Sequence, residues 1–399
     1  MAIVDGTGVY FDPYDVDINA DPYPVYARLR EEAPAYHNER HDFWALSRYD
    51  DVQQAHVNWQ TFSSTRSDIL DIIKAGVQLP PGVILFEDPP IHTRHRSLMS
   101  RVFTPRRVAE LEDQIRAFCV RCLDPLVGAD GFDIIAELGA VMPMRVIGML
   151  LGIPEQDQVA VRDRTDANLR TEPGKPMAVK QEQVANGDIF AEYIEWRAAH
   201  PSDDLMTLLL TAEFDDENGE RRTLTRQEVL TYTAVIAGAG NETTGRLIGW
   251  LAKVLAEHPD QRRAAVEDRS LVPNVIDETL RFEPTGHASA RYVMRDVEYY
   301  GTTVPAGSAV LLLMASANRD PRRFDHADVY DIFRSDLQHL TFGNGLHYCL
   351  GANLARLEGR VALDEIFNRW PEWDVDYANI MLAPTTTVRG WERLPLVVR

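Results

Sequence analysis

The chain has 399 residues, a formal net charge of −20, 45% hydrophobic residues and three cysteines. That acidity argues against nucleic acid as a partner, because binding phosphates needs a basic face. Three cysteines make no disulfide framework, and the chain opens with neither a basic start nor an apolar run, so no leader or membrane anchor is expected and the cytoplasm is the expected compartment.

No Pro/Gly/Ser-rich linker, repeat or low-complexity tract divides the sequence, and residues 1–399 read as one large domain. Residues 21–36 read as a short amphipathic helix entered through Pro22 and Pro24, residues 43–49 as a strand, and residues 50–58 as a helix with Asp51 at its N-cap. Residues 65–86 are rich in apolar side chains, Ile84 among them, but Gly76, Pro80, Pro81 and Gly82 break any long helix. A long apolar loop tends to be functional; plain core packing is the alternative. Pro89 and Pro90 open a helix running through Arg101, on which His92 and Arg96 share a face. Their spacing suits two donors aimed at one anion.

Residues 108–126 and 134–151 read as helices, the second so apolar that it must be buried. Cys119 and Cys122 fall on the first, with no further cysteine or histidine pair to complete a metal site. Residues 167–184 are polar and hold Pro173, Gly174 and Pro176; residues 187–199 and 203–210 read as helices.

The longest helical pattern covers residues 224–258, with Thr225 and Glu228 spaced as a capping box. Its middle, residues 237–245, gathers glycine and alanine where helix propensity disfavours glycine. Small residues there would let something flat and large lie against the helix. Residues 272–282 carry Glu278 and Arg281, three apart and able to pair. Residues 292–297 read as a strand, 304–314 as a hairpin around Pro305-Ala306-Gly307, and 381–399 as a strand pair. Arg356 and Arg360 lie one turn apart; with Arg106 and Arg107 they form either a basic patch that steers an acidic partner or a solvated face.

Phe342, Gly343, Gly345, His347, Cys349 and Gly351 spell Phe-Gly-x-Gly-x-His-x-Cys-x-Gly. By this signature the chain resembles the cytochrome P-450 family of haem–thiolate monooxygenases. The pattern makes physical sense. A thiolate axial ligand pushes electron density onto haem iron and favours O–O cleavage. Amide N–H groups at a loop entering a helix stabilise its charge. The glycines let backbone come close, Phe342 limits water at the sulfur, and His347 is placed to reach a haem propionate.

The resemblance spans essentially the whole chain. It implies a mainly α (α+β) triangular prism fold with a small β-rich region, holding haem b between the Glu242 helix and the helix after Cys349. His92, Arg96 and Arg291 would hold propionates, and Ala239 and Gly240 would lie along the haem. Glu242 and Thr243 resemble the family's acid–alcohol pair, with Glu where many members have Asp; two protons must reach the distal oxygen for O–O cleavage. Glu278, Arg281 and Arg334 would form a buried set fixing the loop that presents Cys349. Ile84, Val235, Ala239, Thr285, His287, Ser289 and Thr387 would line the substrate pocket, with His287 either facing substrate or hydrogen-bonding in a turn. Residues 167–184 would be a mobile lid.

The implied activity inserts one oxygen atom from O2 into a hydrophobic substrate (lipid, terpenoid, steroid or aromatic). Electrons from NAD(P)H would pass through a ferredoxin reductase and a ferredoxin docking at Arg106, Arg107, Arg356 and Arg360. A monomer is expected. The alternatives are a peroxide-driven peroxygenase, which generally lacks the acid–alcohol pair, and a haem sensor without turnover.

Overall fold

The computed structural model describes residues 8–80, 82–167, 169–179, 188–216 and 218–398. Its main helices are α1 (Tyr23–Glu32), α2 (Tyr49–Val57), α3 (Ile91–Ser100), α4 (Glu112–Leu123), α5 (Met142–Leu151), α6 (Gln158–Ala167), α7 (Arg226–Glu257), α8 (Val272–Phe282) and α9 (Ala352–Arg369). α7 is the axis and packs on α5, α6, α8 and α9. Its start is fixed as expected: the Thr225 hydroxyl accepts from the Glu228 amide, and the Glu228 carboxylate accepts from the Thr225 amide at 2.7 Å.

Several boundaries differ from the periodicity. α1 stops at Glu32 because Pro34 disfavours helical backbone at the residue before it, and residues 35–38 become a strand. Asp51 is not a cap: it lies in the first turn of α2, where its charge suits the helix dipole, and accepts from Tyr300 Oη at 2.7 Å. Residues 105–123 form two helices, Pro105–Ala109 and α4. The apolar run 134–151 is buried but splits into a π-helical turn, Ile135–Gly139, and α5. Pro143, with no N–H to give, fits only the first turn of a new helix.

The main sheet contains β1 (Ala35–Asn38), β2 (Phe43–Leu46), β3 (Phe62–Ser63), β4 (Ser289–Val293) and β5 (Ala309–Leu312), in the order β1-β2-β5-β4-β3. Only β2 and β5 run parallel. β5 is buried on both faces: Ala309 and Leu311 join one small core with Phe11 and Tyr26, while Val310 and Leu312 join another with Tyr49 and Phe62. The hairpin expected around Pro305-Ala306-Gly307 does not form. Thr302–Val304 pairs back onto Val297–Tyr299, while β5 pairs with β2 and β4. The tail is also divided. Met381–Leu382 pairs with Trp391–Arg393, and Pro395–Val398 joins Trp373–Val375 and Gly131–Asp133.

Of the stretch read as a lid, residues 168 and 180–184 lie outside the described residues. Among the described residues no helix is long and apolar enough to cross a membrane.

Candidate active site

The loop carrying Cys349 is held from behind by a buried chain of polar contacts. Arg281 and Glu278 on α8 are fully buried and joined by two bonds, at 2.7 and 2.8 Å. Arg334 Nε lies 3.4 Å from the same carboxylate, which also accepts from the Asp331 amide at 2.8 Å. Arg281 donates onward to the carbonyls of Asn318, Ala327 and Val329. Asn318 in turn binds the Leu340 amide at 2.7 Å and the Thr341 hydroxyl at 2.9 Å. The three residues expected to support the loop are thus brought together, and Asn318 is the link that spacing alone missed.

Within the loop, Gly343 and Gly345 both have φ near +71°, which other residues rarely adopt. Gly345 also abuts α2, where a Cβ would meet Val57 at 3.1 Å. The Cys349 amide donates to the Phe342 carbonyl at 2.8 Å. Cys349 is exposed at its surface yet deep among protein atoms. Burial raises its thiol pKa, while the Gly351 amide, Arg96 and Arg356 pull it down. Gly351 opens α9, as a thiolate-stabilising amide should.

Around His347, two residues before the cysteine, lies a group of imidazoles. His92 and His347 have ring centroids 4.3 Å apart. Burial depresses both, and with Arg291, His92 and Arg96 nearby it brings His347 down to about 3. Both nitrogens of His92 and Nε2 of His347 are buried without a hydrogen-bond partner. Arg291 is buried on β4. A further histidine belongs here. His56, in the last turn of α2, is buried with neither nitrogen bonded, and lies in the field of Arg291 and His347. Arg96 donates to the Tyr348 carbonyl at 2.6 Å, which ties α3 to the cysteine loop and leaves the other guanidinium N–H groups for a propionate.

On α7, Val235, Ala239 and Thr243 follow one another at four-residue steps and share a face. Ala239 is exposed there, and the Thr243 hydroxyl donates to its carbonyl at 2.7 Å. Gly240 has a packing role as well. A Cβ on it would overlap Ile147 of α5, and one on Gly245 would overlap the Gly139 carbonyl. Gly245 thus admits neighbouring backbone and Gly240 the Ile147 side chain, while Gly238 faces open space. Glu242 is buried on another side of α7 and accepts from Arg246 at 2.7 Å. Burial pushes its carboxyl pKa up, with Arg246 opposing; its Oε2 has no partner.

A haem fits these residues. The orphaned nitrogens of His56, His92 and His347, with the Arg291 charge, suit two propionates. Cys349 and the Gly351 amide suit an axial thiolate. The sequence matches the cytochrome P450 family profile over residues 177–376. Cytochrome P450 123 of Mycobacterium tuberculosis is 38% identical over 393 residues, covering 97% of this chain and 96% of the relative. The chain belongs to the cytochrome P450 family. Its activity is that of a monooxygenase and its cofactor is haem b. Vitamin D(3) 25-hydroxylase of Pseudonocardia autotrophica is 35% identical, over 95% of this chain and 94% of that protein. The structure of CYP109Q5 from Chondromyces apiculatus superposes with a TM-score of 0.86 at 35% identity, covering 97% and 98% of the two chains.

For this cytochrome P450, the remaining expected site residues are largely buried. Ile84 is buried in the main core. Thr285 is buried, and its carbonyl accepts from the Arg389 amide at 2.7 Å. Ser289 Oγ, Thr387 Oγ1 and His287 Nε2 are buried without partners, and His287 Nδ1 lies 3.4 Å from Tyr26 Oη. The basic patch is less basic than it reads. Arg356 binds Asp277 at 2.7 Å and lies over the Phe342 ring, Arg360 binds Glu112, and Arg106 lies 3.3 Å from Glu110. Asp277 of α8 and Glu112 of α4, remote in sequence from α9, pair with its arginines, and Asp364 of α9 itself lies 3.7 Å from Arg360. Arg107 is exposed.

Proposed function

We propose that this enzyme hydroxylates a hydrophobic organic substrate, of lipid, terpenoid, steroid or aromatic class, using electrons from NAD(P)H delivered by a ferredoxin reductase and a ferredoxin. It works as a single domain and a monomer. The observation that carries the reading is the half-buried Thr243 hydroxyl beside the exposed Ala239 on one face of α7, a position that suits proton delivery. A sterol-derived substrate is consistent with the name of the Pseudonocardia relative.

When bound, haem supplies O2 activation. The protein's own residues do the rest. Cys349 would hold the iron through its sulfur, with the Gly351 amide and the Arg96 and Arg356 charges favouring its thiolate. His56, His92, Arg96, His347 and Arg291 would hold the propionates. Glu242, its carboxyl pKa raised by burial, would be the proton reservoir beside Arg246, with Thr243, the next residue along α7, as the acceptor of its relay. Thr243 orients that proton at the reacting oxygen, and the apolar surroundings of the site keep other water out.

Thr243→Ala is expected to leave NAD(P)H consumption near its normal rate while shifting electrons from product to released peroxide; unchanged coupling would remove the threonine from proton delivery. Arg106→Ala with Arg107→Ala is expected to slow reduction by ferredoxin at low ionic strength, the difference fading as salt screens the charges. Equal rates at all salt concentrations would place docking elsewhere. The reading as a whole is tested by titrating the haem-loaded enzyme with a panel of the four compound classes. A haem band shift toward the five-coordinate form identifies the class that displaces water at the iron; no shift with any class would overturn the proposed range.

A further inference from the structure

A cavity lies between the N-terminal stretch, the start of the short helix Leu70–Ala75, and His287 with Thr387. It therefore adjoins two residues expected at the substrate pocket. Its walls join three aromatic rings, Phe11, Tyr14 and Tyr26, to the carboxylates of Asp12, Asp68 and Asp71. No lysine or arginine among the described residues lines it.

The three carboxylates are not equivalent. Asp12 is satisfied by His41 at 3.0 Å, Arg40 at 3.4 Å, Tyr10 Oη and the Tyr14 amide. Asp68 lies in the field of Arg291. Asp71 is 7% exposed, and the groups that favour its charged form are neutral: Tyr14 Oη, which donates to Oδ1 at 2.7 Å, the Met177 backbone and Thr386. Burial works against that charge. A buried carboxylate without a counter-charge is costly. A cation seated against it would remove that cost.

The walls indicate what kind of cation. Among the described residues no group of three or more His, Cys, Asp or Glu is placed to hold a metal ion. Aromatic faces attract organic ammonium groups through the ring quadrupole. His287, kept neutral by burial and by the charges of Arg389 and Arg319, adds no positive charge, and its Nε2 awaits a partner.

We propose that this cavity receives the ammonium end of a hydrophobic amine, with Asp71 and the rings of Tyr14 and Tyr26 against the charge and the apolar part left for the haem-side pocket. This rests on the monooxygenase reading above and narrows its substrate class.

The test uses the full-length haem-loaded enzyme titrated with decyltrimethylammonium, decanol and decanoate below their micelle concentrations. A quaternary nitrogen has no lone pair, so it cannot ligate iron, and a band shift reports displaced water alone. Decyltrimethylammonium is expected to bind about tenfold more tightly than decanol, and more tightly than decanoate. Asp71→Asn, which keeps an oxygen acceptor for Tyr14, should abolish that preference and leave decanol binding unchanged. Tyr14→Phe should keep most of it, because the ring remains. Equal affinities for the ammonium and the alcohol in the wild-type enzyme, with decanol still shifting the band, would overturn the cavity assignment alone. So would a preference that survives in Asp71→Asn. If neither decanol nor CO gives the haem–thiolate signals, the monooxygenase reading fails and the assignment falls with it.

Discussion

Cys349→His is expected to abolish the reduced-CO absorption band characteristic of thiolate ligation and to bring monooxygenation down to background. An imidazole in that position can still bind iron, so haem content need not fall. What is lost is the electron donation that favours O–O cleavage. The local architecture is also specific to sulfur, since the Gly351 amide and the charges of Arg96 and Arg356 all favour an anion there. A neutral imidazole gains little from them. Retention of the band in the variant would mean that another residue supplies the thiolate and that the loop has been misassigned.

The second large effect is expected from Arg281→Ala. This side chain is fully buried and donates to Glu278 and to three backbone carbonyls. Its removal strands the Glu278 carboxylate in the core, a defect of about 3–5 kcal/mol. Total stabilities are only about 5–15 kcal/mol, so a large fraction of the margin goes. The damage is directional, because Asn318 is the next link and holds Leu340 and Thr341 at the entrance to the cysteine loop. The variant should therefore show a lowered melting temperature and a reduced haem-to-protein ratio together. Arg281→Lys, which keeps the charge but not the fork of donors, should recover part of the first and less of the second. Wild-type haem content at wild-type stability would show that the loop does not depend on this chain of contacts.

The parts of the site legible in the sequence are those that short-range pattern determines. The cysteine signature, the Thr225–Glu228 capping box and the Glu278–Arg281 spacing each sit within a dozen residues, and α8 begins and ends where its periodicity says. The parts that were not legible depend on packing between remote segments. His56 is one histidine in a short polar helix until α2 meets the turn Gly345–His347. Nothing local marks it, although a histidine among the apolar positions of an amphipathic helix is a signal worth pursuing. Gly240 has the composition of a ligand-facing residue, but which neighbour fills the space of its absent Cβ is a tertiary fact. Arg360 is a similar case, since its carboxylate Glu112 is 248 residues away along the chain. The hairpin at Pro305-Ala306-Gly307 was a sound local reading, overridden because β5 finds better partners in β2 and β4.

Glu242 and Thr243 are consecutive on α7, so their side chains diverge by about 100° around its axis. One points into the Arg246 pair and the other toward the exposed face. Which residue meets the substrate is therefore a matter of the helix's rotational phase, and that phase has a mechanical stop. Gly240 against Ile147 and Gly245 against Gly139 act as a key in a slot, leaving the shaft no freedom to roll. Two absent methyl groups thereby help set which of two adjacent side chains faces the open side of the helix and which stands behind it.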